Sequence, residues 1–436
     1  MAMLKTPGVY VEEVPTLPPS VAEVATAVPA FIGHTERGAA GKVEVSQVTT
    51  LLEFEQRFGR PKPTELAAAA DGTIKPLASN VPETPLWYAL NLYFKNGGGR
   101  CYVVSVDDLE AEPSADRYEA GLKALEAEDE PTLIVMPGAV ALSRADFDSV
   151  AQAALAHCKK MGDRFAILDV KDGDVTAFRT GVGTNALAYG AAYYPYLNTS
   201  IQHVVDEAAV KVGDANDAPK LSALKTTNTA LYNQVKKNLG EQRVDLPPSA
   251  AIAGIYARVD RDRGVWKAPA NVSISSVIGP ETQITADQQE SLNVDPTSGK
   301  SINVIRSFTG QGIIVWGART LAGNDNEWRY VNVRRLFIMI EESAKKATNF
   351  AVFESNDITT WLKVKGMLES YLYGLWEQGA LQGSKPESAY YVACGLGKTM
   401  SPQDVLEGRL IVELGIAAVR PAEFIVLRFS HKLPEA

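Results

Sequence analysis

Residues 317–378 read GARTLAGNDNEWRYVNVRRLFIMIEESAKKATNFAVFESNDITTWLKVKGMLESYLYGLWEQ. Two long amphipathic helices are predicted here, back to back. In the first, apolar residues recur at Val333, Leu336, Phe337, Ile340, Ala344, Ala347 and Phe350, the three-and-four spacing of a helix with one buried stripe. The opposite face carries Arg334, Arg335, Glu341, Glu342, Lys345 and Lys346. Glu341 precedes Lys345 by four residues and Glu342 precedes Lys346 by four, the favourable order for ion pairs on a helix surface. A second stripe runs through Trp361, Val364, Leu368, Tyr371, Leu372 and Leu375. Between the helices, Ser355, Asn356 and Asp357 are all good N-caps.

Outward from that pair, the chain ends in two predicted strands, Arg409 to Ile416 and Phe424 to Phe429, separated by Pro421. Upstream, Ile302 to Phe308 and Ile313 to Gly317 read as strands around a Thr-Gly-Gln-Gly turn. Further back, strand and helix alternate. Strands are predicted at Val28 to Gly33, Val43 to Val45, Cys101 to Val106, Leu133 to Met136, Phe165 to Val170 and within Leu187 to Leu197. Helices are predicted at Leu51 to Phe58, Leu86 to Phe94, Ala115 to Glu128 and Arg144 to Lys160. Such alternation implies a largely parallel sheet with helices on its faces. Residues 66–70 read as a surface loop, 206–245 as surface helix and loop, and 246–271 as the junction into a second domain.

The N-terminal stretch pairs a short strand candidate, Val9-Tyr10-Val11-Glu12-Glu13-Val14, with prolines 15, 18 and 19 that hold the following chain extended. A lone strand is not stable in water. Either it returns to its own sheet or it adds to the sheet edge of another subunit. An extended leash of ~10–15 residues spans roughly 35–50 Å, enough to reach a neighbour.

With 436 residues the chain is long enough for more than one core. A net charge of −9 argues against a general nucleic-acid binder. Three scattered cysteines form no disulfide framework, which fits synthesis in a reducing compartment. The first residues lack the apolar core of a signal peptide, and no apolar run reaches the ~20 residues of a membrane span. The chain is therefore expected in the cytoplasm, without membrane insertion.

The α/β pattern invites an enzyme reading, but the motifs do not support one. Gly181-Val182-Gly183-Thr184-Asn185-Ala186 matches a dinucleotide fingerprint without a strand directly before it. Gly395-Leu396-Gly397-Lys398-Thr399 resembles the end of a phosphate loop, yet Val392 stands where the first glycine belongs. His34, His157, His203 and His431 lie far apart and in no ligand-spaced cluster. No serine sits in a G-x-S-x-G elbow. No catalytic, cofactor or metal residues are expected.

GART, then EWRYVNVRRLFIMIEES, then a tryptophan-bearing second helix, resembles the C-terminal domain of contractile tail sheath proteins, the family of phage tails, R-type pyocins and extracellular contractile injection systems. PGVYVEEVP near the N-terminus followed by AVPAFIGHTERG resembles it too, as does Pro247-Pro248-Ser249, then Ala253-Gly254, then Arg263 to Asn271. The likeness is weak across 60–245. It implies an α/β fold with an α+β C-terminal domain: an arm at 1–22, an outer largely parallel α/β domain at 23–250, an inner α/β domain at 251–418 facing a tube, and a strand arm at 419–436. It implies a structural subunit that polymerises helically as hexameric rings, contracts from a metastable extended state, and is not an enzyme. The implied partners are other copies of itself, an inner tube protein, baseplate and terminator or cap proteins, and sister sheath proteins. The implied location is the bacterial cytoplasm and then a phage tail or phage-tail-like particle, released outside the cell in some systems. Val9, Tyr10, Val11 and Glu12, with Phe424, Ile425, Val426 and Leu427, are the expected inter-subunit strands. Arg334, Arg335, Lys345 and Lys346 have two readings: a solvated face paired with Glu341 and Glu342, or a contact with the tube. An α/β enzyme with an unrecognised site and a non-contractile shell protein are the alternatives.

Overall fold

The structure, a computed structural model, describes residues 20–213 and 218–426. Within these the chain forms two compact units, residues 25–339 with 420–426 and residues 20–24 with 340–419.

The larger unit is built on a nine-stranded sheet. Its order is Val272–Ser273, Gly312–Val315, Ile302–Phe308, Gly190–Tyr194, Phe165–Asp169, Leu133–Val135, Pro29–Gly33, Cys101–Ser105 and Glu44–Val48. The six strands from Ile302–Phe308 to Cys101–Ser105 run parallel, and the outer ones join them antiparallel. Central strands such as PAFIG, CYVVS and FAILD are buried at every position, as strands covered on both faces must be. The edge strand Glu44–Val48 is only partly buried instead, with Glu44 and Gln47 exposed. Side-chain alternation sends Phe31, Val103, Val135 and Ile167 to one core, and Ile32, Val104, Ile134 and Leu168 to the other. Helices Leu86–Lys95 and Ser249–Arg263 pack in the first core, and Ala115–Ala124 and Arg144–Met161 in the second.

Helix Ser249–Arg263 corrects the expected junction at 246–271. Residues 249–256 are buried all round, so no 3.6-residue period marks the helix in sequence. Its first turn is held by Asp169, whose carboxylate accepts from the Ser249 N–H (2.8 Å) and hydroxyl (2.6 Å). Gly254 lets it close on helix Leu86–Lys95, since a Cβ there would lie 2.6 Å from the Tyr93 carbonyl oxygen. Strands before and after residue 250 also share the one sheet. The units divide near residues 24, 339 and 419, not at 250. The surface-loop reading of 66–70 is also corrected. Ala67–Ala68 pairs in parallel with Lys211–Val212, over a small core that includes Leu66, Val210, Leu221 and Val235.

In the smaller unit, helix Ile358–Glu377 is capped by Asp357, which accepts from the N–H groups of Thr359 and Thr360. It buries Val364, Met367, Leu368, Tyr371, Leu372 and Leu375. Strands Tyr390–Cys394 and Val412–Ile416 form an antiparallel hairpin, with Val392 opposite Leu414. Helix Val331–Thr348 contributes its last residues, from Ile340 onward, to this unit.

Candidate assembly surface

The hairpin of the smaller unit is a sheet of two strands only. Among the described residues neither strand pairs with a third, so each presents an outer row of backbone N–H and C=O groups. Beside it lies an open groove of ≈ 780 Å³, lined in part by Ala344, Thr348, Phe353, Leu368, Val412 and Leu414. Large apolar side chains stand in solvent around the unit: Val352, Phe353, Ile358, Leu362, Leu396 and Leu406 are each more than half exposed. Phe353 is fully exposed and sits at φ 67. That left-handed conformation costs a residue with a Cβ roughly 1–2 kcal/mol. Several large apolar side chains exposed within one small unit are what a surface of association offers.

The four basic residues separate into two pairs. Arg334 and Arg335 are only 5% and 3% exposed, which corrects the solvated-face reading for both. The first half of helix Val331–Thr348 is inserted in the larger unit and buried almost all round, so charge there does not signal exposure. Arg335 forks onto Asp260 at 3.1 and 2.5 Å, donates to the Thr26 carbonyl at 3.0 Å, and lies 4.5 Å from the Tyr256 ring centroid. Arg334 lies between the rings of Tyr189 (4.7 Å) and Trp328 (4.4 Å). A planar, weakly hydrated guanidinium suits such stacked and bidentate sites. Burial removes both arginines from any surface offered to a tube. Lys345 and Lys346 remain outside and both reach Glu342, at 3.1 and 3.6 Å. Sequence reasoning missed the Arg335–Asp260 pair, because no local pattern links positions so far apart.

Residues 111–321 match the family model for the phage tail sheath protein central domain, and residues 323–432 match the phage tail sheath C-terminal domain. The chain belongs to the phage tail sheath protein family. It is similar over 99% of its length, and 99% of the other chain's, to the sheath complex of the extracellular contractile injection system PVC in its contracted state (TM-score 0.71, 31% identity). It is likewise similar to the helical sheath of the anti-feeding prophage AFP in its contracted state, over 98% of this chain and 100% of that one (TM-score 0.70, 34% identity). A tail sheath protein of Vibrio phage KVP40 is 24% identical over 185 residues, 42% of this chain and 26% of that protein. The matched part spans about a quarter of the length of such curated relatives.

The expected sheath arms fall at the limits of what is described. Val9, Tyr10, Val11, Glu12 and Leu427 lie outside the described residues. Phe424, Ile425 and Val426 were expected to form a strand, but they have irregular backbone and pair with no strand among the described residues. Each is more than 70% exposed, as a strand without its partner sheet would be. The two glycine motifs are turns. Gly181 ends helix Val175–Gly181. In the second, the Thr399 hydroxyl accepts from the Gly395 N–H (3.2 Å) and donates to the Ile411 carbonyl (2.6 Å). No helix among the described residues is long and apolar enough to cross a membrane.

Proposed function

We propose that this chain is the repeating subunit of a contractile sheath, polymerising helically as hexameric rings around an inner tube. In this reading subunits join by strand donation. Val9 to Glu12 of one copy and Phe424 to Leu427 of another add to the open edges of the hairpin, whose backbone groups supply a generic ladder. The observation that carries the reading is that two-edged hairpin, set in the unit richest in exposed apolar side chains. Head-to-tail contacts that do not close on themselves make a helix rather than a ring alone.

Contraction is then a passage between two packings of the same subunits, extended and contracted. Each further 100 Å² of apolar surface buried per subunit favours the contracted packing by about 2.5 kcal/mol. Summed over many subunits, this drives the tube through a target envelope without nucleotide hydrolysis. Baseplate and cap proteins bound the polymer at its ends. Lys345 and Lys346 are the basic residues left for contact with the tube, at a strength that salt would screen.

The test is electron microscopy of the expressed chain beside a variant lacking residues 1–14. The full chain is expected to form sheath-like tubes, and the deletion a folded subunit that does not polymerise. Tubes of normal length from the deletion variant would defeat strand donation.

A further inference from the structure

Glu423 sits in a built socket. Its carboxylate accepts from Arg319 Nε (2.8 Å) and Nη2 (2.5 Å), from Asn293 Nδ2 (2.8 Å) and from the Tyr330 hydroxyl (3.1 Å). Arg319 is 3% exposed. Its remaining nitrogen, Nη1, donates to the carbonyls of Asn293 (3.3 Å) and Gly323 (3.4 Å). The Arg319 backbone is fixed as well. Buried Asn303, on sheet strand Ile302–Phe308, accepts from its N–H at 2.7 Å and donates to its carbonyl at 2.8 Å. The socket is therefore mounted on the central sheet and points its guanidinium at one position. A buried guanidinium without a counter-charge is strongly unfavourable, so the socket is incomplete until a carboxylate fills it. Burial works to raise the Glu423 carboxyl, but the hydrogen bonds from Arg319, Asn293 and Tyr330, with the Arg319 charge, outweigh it and hold it below the usual glutamate value.

The residue after this anchor begins the exposed apolar run Phe424-Ile425-Val426. We propose that the Arg319–Asn293–Tyr330 socket latches the chain at Glu423 and so fixes the point from which Phe424–Val426 leave the subunit to pair with a second copy. This rests on the reading of that run as an inter-subunit strand. A fixed exit removes freedom that pairing would otherwise have to remove, the usual advantage of preorganisation.

The experiment uses the full chain with two readouts: the mobility of a nitroxide spin label at Ala422→Cys in dilute subunit, the three native cysteines being buried, and the sedimentable polymer checked by negative-stain microscopy. Glu423→Ala is expected to turn an immobilised label into a freely mobile one, because the four side-chain hydrogen bonds beside it are lost. It should also lower the polymer by about tenfold, because the strand loses its fixed exit. Should this variant unfold through the stranded charge, Arg319→Met with Glu423→Ala removes that charge and is expected to give the same two changes. The double variant Phe424→Asp, Ile425→Asp is expected to lose polymer while the label stays immobilised. Unchanged mobility in the Glu423 variants overturns the latch, and a mobile label with native polymer overturns its role in assembly. A native chain that never polymerises defeats the sheath reading instead, and label mobility still decides the latch.

Discussion

The two units treat apolar residues differently. In the larger unit the large apolar side chains more than about a third exposed are Leu52, Ile278, Val294 and Trp316, scattered along residues 25–339, and the run Phe424-Ile425-Val426 at its last described residues. In the much shorter stretch 340–419 there are nine. Apart from that terminal run the larger unit is complete as a folded body, with three apolar cores and the Arg335–Asp260 pair closed inside. The smaller unit keeps one helix stripe buried and leaves a hairpin and a groove without covering. The first arrangement maximises stability of the subunit, and the second leaves apolar surface and strand edges open to a partner.

The sharpest way to break this contrast is to damage the interior of the larger unit. Asp260→Ala leaves the Arg335 guanidinium buried without its carboxylate, and denaturant unfolding should show a loss of about 3–5 kcal/mol. Replacing both, Arg335→Met with Asp260→Leu, should restore most of it. A single variant no less stable than the native chain would show that the interior is not sealed as described.

A smaller effect is expected from pH. His157 lies buried beside Arg164, at 2.9 Å, and burial followed by that charge brings its imidazole down to about 4. The unfolded chain binds the proton more readily, so this group's contribution is intact above its ordinary 6.5 and is lost as pH falls towards 4. Asp169 has the opposite sign. Burial, partly offset by the Ser249 hydrogen bonds, pushes it up to about 7 from 3.8. Its contribution is full below 3.8 and is lost as pH rises through 7. The two offset each other in the native protein. Thermal melts of His157→Gln between pH 5 and 7 should uncover the Asp169 slope, with stability greater relative to the native chain at the acid end. An unchanged pH profile would count against a dry site at His157.

The smallest effect on folding belongs to the smaller unit. Leu406 is 82% exposed. Leu406→Ser should change subunit stability by no more than about 0.5 kcal/mol. Light scattering should nevertheless show weaker polymerisation. Equal polymerisation would remove Leu406 from the proposed interface.

Much of the larger unit is legible in the sequence because its physics is local. Helix Leu51–Phe58 is bounded by Thr50, which caps the Glu53 N–H, and by Gly59 at φ 88. Runs such as FAILD announce a strand covered on both faces. Helix Ser249–Arg263 is not legible, because burial all round erases the period. Arg334 and Arg335 mislead for a related reason: charge is read as exposure until a distant Asp260 or an aromatic pair is seen beside it. In the candidate surface Val412–Ile416 is visible within the predicted strand Arg409 to Ile416, whereas its partner Tyr390–Cys394 is not. Nor are their open edges and the groove beside them, since both depend on what fails to pack there.

The hairpin also carries a negative charge. Glu413, exposed on strand Val412–Ile416, accepts a hydrogen bond from the Tyr391 hydroxyl across the hairpin at 2.6 Å. An unpaired edge invites any extended peptide, and a charged side chain on such a strand is how proteins keep indiscriminate guests away. If strands are donated as proposed, Glu413 guards newly made subunits against tangling, and an incoming ribbon must have contacts strong enough to lie beside that carboxylate.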